Sequence, residues 1–302
     1  MSGGVLVVGS VALDSVRTPL GEVENAFGGA AVYFSFAASF FTKPYIIGVI
    51  GEDMPQENIN LLTSRNIDIK GLQKIKGGQT FKWKGYYSFD MNEANTLDTQ
   101  LNVFEKFSPE LPEEYKKIEY VFLANIDPEL QMKVIEQVKK PKLIGLDTMN
   151  YWLNSKRDEL LEVIKKIDLI IINDAEARDL AGEKYLLTAA KKIFMLGPKY
   201  VVIKKGEHGV LFYSEDGIIV LPAYPTELVK DPTGAGDTFA GAFMGYIASK
   251  NQLNLSTIKN GLIYGTLMAS FTIEDFSINR LKNLKNEELE NRYKKYKEML
   301  TI

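Results

Sequence analysis

The sequence predicts an α/β fold: a mainly parallel central sheet with helices on both faces (three layers, α/β/α) and a small second sheet outside it. Three observations carry this. Strand-like apolar runs alternate with helical patterns along the chain, the order of repeated β-α-β units. Several of these runs are apolar without alternation, as in strands buried on both faces. Two stretches, residues 15–27 and 76–107, break the rhythm with polar, turn-rich or partly alternating sequence.

The chain opens on "VLVVGS", a buried first strand, and "GSVALDSV" puts Asp14 at or just past its tip. The run has no basic region before it and no cleavage pattern after it, so a signal peptide is not expected. Residues 15–27, "SVRTPLGEVENAF", read as antiparallel strands of the small sheet. "FGGAAVYFSFAASFF" places Gly28 and Gly29 ahead of an apolar helix. Such a start lets a small ligand approach the backbone; taken alone, it reads more simply as close packing. "PYIIGVIG" is a strand and "QENINLLTSRN" a helix. Residues 76–107, rich in Thr and aromatics, supply the rest of the small sheet. A sheet that leaves and rejoins an α/β body suits a lid over a site; the other reading is an edge hairpin with no gating role.

The alternation then resumes through "YVFLAN", "PELQMKVIEQVKK", "KLIGLDT", "RDELLEVIKKI", "DLIIIND", "EKYLLTAAKKIFMLG", "YVVIKKG" and "GIIVLPA". Residues 238–271 are mostly helical, and the tail from "NEELE" to "NRYKKYKEML" patterns as a solvated amphipathic helix.

Composition narrows the function. A chain of 302 residues with net charge −3 fits one domain over residues 1–302, with 15–27 and 76–107 as its lid. No apolar run reaches the ~18 residues of a membrane span. The absence of cysteine excludes disulfides, thiolate nucleophiles and cysteine metal sites, and a reducing, cytoplasmic setting is the simplest expectation. His208 is the one histidine, so acid–base work falls first to carboxylates. Mild acidity without a basic tail argues against nucleic acid.

The sharpest motif is "KDPTGAGDTFAGAF", residues 230–243. Gly234, Ala235 and Gly236 precede Asp237 at a helix start. N–H groups there have no partner within the helix, and with the helix dipole they form an anion site. The same field is expected to favour ionised Asp237. A carboxylate beside an anion site suits phosphoryl transfer, in which the Asp receives the proton of the attacking hydroxyl. Alone, the motif reads more simply as a close-packed helix start capped by Asp. No GxxxxGK[ST] and no early GxGxxG occur, which sets aside a P-loop enzyme and a nicotinamide oxidoreductase.

Asn173, Asp174 and Glu176 of "LIIINDAEARDL" end a buried strand where a helix begins. Ligands of open α/β sheets bind at such strand ends, where carboxylates can hold the water shell of Mg²⁺; plain helix capping is the alternative. Asn125, Asp127, Asp147 and Asn150 lie at further strand ends, without an orientation readable from sequence.

Taken in order, "GSVALD", Gly28-Gly29, "NDAE", "KKGEHG" and "DPTGAGDTFAGAF" resemble the PfkB carbohydrate kinases of the ribokinase-like fold, over nearly the whole chain. The resemblance implies an ATP- and Mg²⁺-dependent kinase for a small polyhydroxylated acceptor: most simply a sugar, with a nucleoside or cyclitol as alternatives. It implies Asp237 as catalytic base and the backbone of Gly234, Ala235 and Gly236 as anion hole. Asn173 and Glu176 would lie near phosphate and Mg²⁺, Glu176 through water. Lys204, Lys205, Gly206, Gly209 and Thr233 would line the nucleotide site. Asp14, Gly28, Gly29, Tyr33 and Asn125 would meet the acceptor. A monovalent cation near Asp231 and Thr233 and a homodimer through the lid are further candidates. One departure stands out: Tyr33 occupies the place of the Asn that faces the sugar in many members. The competing reading is a non-catalytic binding or regulatory protein on the same fold.

Overall fold

The computed structural model describes residues 4–92 and 94–301. Residues 1–3, 93 and 302, which the expected domain and lid boundaries include, lie outside the described residues. The strands are β1 (Val5–Val8), β2 (Ala12–Thr18), β3 (Gly21–Gly28), β4 (Pro44–Gly51), β5 (Asp68–Ile75), β6 (Phe81–Tyr87), β7 (Ala94–Gln100), β8 (Tyr120–Leu123), β9 (Leu143–Leu146), β10 (Leu169–Asn173), β11 (Tyr200–Lys204), β12 (Val210–Ser214) and β13 (Gly217–Leu221).

Nine of them form one sheet in the order β13-β12-β11-β10-β9-β8-β1-β4-β5. Pairing is parallel from β11 to β5 and antiparallel only at β11–β12 and β12–β13. The non-alternating runs are explained by two packed faces. Val5 and Val7 of β1 point into one hydrophobic cluster, with the helices Ala30–Ala38, Ala235–Lys250 and Leu255–Thr272. Leu6 and Val8 point into the other, with the helices Pro128–Gln137, Arg157–Ile164, Asp174–Ala181 and Leu186–Met195. Among the described residues no helix is long and apolar enough to cross a membrane.

The two rhythm-breaking stretches form a separate four-stranded sheet, β3-β2-β6-β7. Three features differ from the sequence reading. The small sheet is mixed rather than antiparallel, because β2 and β6 come from distant parts of the chain and pair in parallel. Asp14 does not end β1, which stops at Val8, but lies inside β2 of the small sheet. β5 was not legible, because its outward residues are polar at the sheet edge.

Candidate active site

The carboxyl ends of the parallel strands, the glycine motif at the start of the Ala235–Lys250 helix and the central strands β2 and β6 of the small sheet meet at one end of the main sheet. The register of β10 and β11 sets Asn173 directly opposite Lys204. Asn173 caps the helix that follows. Its Oδ1 accepts from the Glu176 N–H at 2.8 Å, and Glu176 Oε2 accepts from the Asn173 N–H at 2.8 Å. The capping reading of these residues therefore holds, and it also orients Glu176. Asp147, just past β9, is buried and lies 3.5 Å from Lys204 Nζ. A methyl group built on Gly236 would stand 2.7 Å from that same Nζ, so the lysine lies against the bare backbone of the glycine motif.

That motif begins with Gly234 at φ +75°, which caps the helix with its carbonyl through the Thr238 N–H at 2.8 Å. A side chain is excluded there: a Cβ would fall 2.4 Å from the Tyr33 ring. The Ala235 N–H is not free as the sequence suggested. It closes a tight turn onto Pro232 O at 3.1 Å. The free donors are the N–H groups of Gly234 and Gly236, with that of Asp237 leaning on its own carboxylate. The Asp237 side chain bonds to no other described residue.

Electrostatics correct a second expectation. Asp237 is pushed up to about 7, by burial first and by neighbouring Asp147 second, against the pull of Lys204. Burial in low dielectric outweighs the helix-terminus field. Glu176 rises to about 7 for the same reasons, burial and then Asp147. Burial also raises Asp147. Burial alone would lower Lys204, but Asp147, Glu176 and Asp237 together hold it above its ordinary value.

On the acceptor side, Asp14 Oδ2 accepts from the Gly29 N–H at 3.1 Å, and its buried carboxyl is pushed up to about 7, chiefly by burial. A Cβ on Gly28 would collide with that oxygen at 2.2 Å, and one on Gly29 (φ +96°) with Ser10 O at 2.5 Å. Ser10 fixes the next turn, its Oγ accepting from the Ala30 N–H at 3.0 Å and its carbonyl from the Ala31 N–H at 3.0 Å. Tyr33 follows on this helix, buried against Gly234. Asp231 is buried, its oxygens accepting from the N–H groups of Thr233 (2.9 Å) and Ser277 (3.3 Å).

The other candidates have partners of their own. Asn125 accepts from Trp152 Nε1 at 3.0 Å and donates to Met149 Sδ at 3.2 Å. Asp127 caps the Pro128–Gln137 helix and pairs with Lys156 at 2.7 Å. Asn150 is exposed at the start of the Asn150–Ser155 helix. Lys205 closes the Gly206–Gly209 turn, its N–H donating to Gly209 O at 2.8 Å. Sequence reasoning missed Tyr87, whose hydroxyl at the end of β6 lies 3.3 Å from Thr233 Oγ1. One aromatic among many in residues 76–107 carries no signal of that partner. It also missed Ser10, a common strand-end serine.

The arrangement pairs a carboxylate that titrates near neutrality with free N–H donors and a lysine, as transfer of an anionic group to a hydroxyl requires. Residues 4–280 match the pfkB family carbohydrate kinases. The chain belongs to that family. As a pfkB kinase it is a phosphotransferase with an alcohol group as acceptor. It is 33% identical over 251 residues to a cytidine kinase of Thermococcus kodakarensis, covering 80% of this chain and 87% of the relative. The fold matches an Escherichia coli structure described as a ribokinase II in complex with ATP and Mg²⁺, with TM-score 0.81 and 19% identity over 97% of this chain and 99% of that one. It also matches a Burkholderia thailandensis nucleoside kinase in complex with inosine, with TM-score 0.78 and 18% identity over 97% of each chain.

Proposed function

We propose that this kinase transfers the γ-phosphoryl group of ATP to a hydroxyl of a nucleoside, with Asp237 as general base. The observation that carries the reading is the position of Asp237. It is the third residue of the Ala235–Lys250 helix, beside the free N–H of Gly236 and within the field of Lys204. A nucleoside rather than a free sugar is favoured by the similarity to the Thermococcus cytidine kinase and by Tyr33 standing where many sugar kinases carry Asn.

The residues fit these ligands. Bare backbone at Gly236, free N–H groups and Lys204 Nζ suit phosphate oxygens. Among the described residues no group of three or more His, Asp or Glu could hold a metal ion by itself. Mg²⁺ would be held through water by Glu176 and by the phosphates. When bound, Mg²⁺ would neutralise phosphate charge. Asp237 would take the hydroxyl proton as the bond from the acceptor oxygen to the γ-phosphorus forms and the bond from that phosphorus to the bridging oxygen breaks, leaving ADP. Lys204, drawn from its pairing with Asp147, and the Gly236 N–H would meet charge on the transferring group. Asp14 would orient acceptor hydroxyls with Gly28 and Gly29 close beneath.

The small sheet is proposed as the lid. Tyr87 bonds Thr233, and Asn92 of the β6–β7 hairpin comes within 3.9 Å of a Cβ built on Gly206. A homodimer through this sheet, a monovalent cation beside Asp231 and a cytoplasmic location complete the proposal. Leu97, exposed on the edge strand β7, is an apolar side chain that such a dimer would cover. ADP release from ATP and Mg²⁺ with a panel of nucleosides, sugars and cyclitols tests the function. Turnover with sugars alone would overturn the nucleoside assignment, and no turnover with any acceptor would favour a binding protein.

A further inference from the structure

We propose that Tyr33 is a positioning residue: its ring is the strut that holds Gly234 in its left-handed conformation and so aims the anion-binding backbone. The inference rests on the kinase reading for its catalytic consequence, but its geometric part is independent of it.

The argument starts at the other end of the site. Tyr33 lies in the first turns of the Ala30–Ala38 helix, whose N-terminus is pinned by Asp14 to the Gly29 N–H and by Ser10 to the N–H groups of Ala30 and Ala31. The same ring lies 3.5 Å from a Cβ built on Gly28. It then reaches across to the phosphate side. A Cβ on Gly234 would stand 2.4, 2.4 and 2.5 Å from three of its ring carbons, so the flat ring covers the Cα of that glycine. Gly234 at φ +75° and ψ 1° is the hinge between the Pro232 turn and the Ala235–Lys250 helix. Glycine reaches both signs of φ with similar ease, so the residue does not choose its own conformation. The neighbour must choose it, and the ring of Tyr33 leaves room for only one. The hydroxyl is not the agent: among the described residues it makes no hydrogen bond. Burial and the carboxylates of Asp231 and Asp14 keep it neutral.

One side chain thus touches the glycine beside the Asp14 carboxylate and the glycine that opens the anion site. Alignment of donors matters steeply in catalysis: a shift of about 1 Å can cost about 10²-fold, similar to losing one donor to a developing charge.

The test compares Tyr33→Phe, Tyr33→Leu and, as a control truncation on the same helix, Phe34→Leu, which stacks on Phe122 away from the glycine. With ATP, Mg²⁺ and the best acceptor from the panel, Tyr33→Phe should stay within about threefold of wild-type kcat. Tyr33→Leu should lose about 10- to 100-fold in kcat while KM for ATP moves by less than about threefold. Phe34→Leu should lose stability without that loss of kcat. A crystal structure of Tyr33→Leu should show Gly234 out of its positive-φ conformation or in more than one. Gly234 unchanged there would overturn the proposal whether or not the protein turns over any acceptor. Wild-type kcat in Tyr33→Leu would overturn it in an active enzyme, and a kcat loss in Tyr33→Phe equal to that in Tyr33→Leu would overturn it by assigning the role to the hydroxyl instead.

Discussion

Replacing Asp237 with Asn separates its chemistry from its place in the fold. Asn is nearly isosteric, and the Asp237 side chain bonds to no other described residue, so packing should survive. Two effects follow, of opposite sign. Activity falls, because Asn accepts no proton from the acceptor hydroxyl; general-base help is worth about 10²- to 10⁴-fold. The loss belongs in kcat, with KM for ATP nearly unchanged. Stability rises, and only at higher pH. The folded-state carboxyl titrates near 7 against an ordinary 3.8, raised first by burial and then by Asp147. Below the ordinary value both folded and unfolded chains are protonated there, and the group contributes nothing. As pH rises toward 7 the unfolded chain ionises more readily, so wild-type stability falls through that window and stays lowered above it. At ~1.36 kcal/mol per pKa unit the effect is capped at about 4 kcal/mol. Asp237 is only half-buried, and water in the cleft leaves about 1–2 kcal/mol of it. Melting curves of wild type and Asp237→Asn at pH 3 and pH 8, with steady-state kinetics, measure both effects. The melting difference should be near zero at pH 3 and should favour the mutant at pH 8. Near-normal kcat would show that Asp237 is only part of a helix start. An equal melting difference at both pH values would show that its carboxyl is not raised.

Glu176→Gln keeps an oxygen for the Asn173 N–H, so the helix cap should persist. The Mg²⁺ needed for half-maximal activity should rise by about tenfold, read from Mg²⁺ titrations of turnover. Gly29→Ala adds a Cβ 2.5 Å from Ser10 O at φ +96°; strain of about 1–3 kcal/mol should lower Tm by roughly 5 °C, read by calorimetry. Tyr87→Phe removes the partner of Thr233 Oγ1. It should cost about 1 kcal/mol of stability and raise KM for the acceptor while KM for ATP holds, read from initial rates.

The parallel sheet, its two covered faces and the separate small sheet were legible from local pattern. Strand periodicity and run length report burial on one face or two without knowing the partner. The glycine–aspartate motif was legible for a similar reason, since bare backbone before a carboxylate has few uses. What local pattern could not hold was anything set by residues distant in sequence. Asp14 read as the tip of β1 because the break after Val8 is only three residues long, and parallel pairing with β6 is what makes residues 12–18 a strand of the small sheet. The sign of the shift at Asp237 was misread because the helix-terminus field is local, whereas the burial and the Asp147 charge that outweigh it come from other strands. Lys204 acquired a defined place only when the register with β10 and the approach of Asp147 and Gly236, two residues far apart in the sequence, fixed its ammonium between them. Tyr33 looked like an anomaly in a substrate motif. The fold alone lays its ring on Gly234, because the two helices that carry these residues pack side by side.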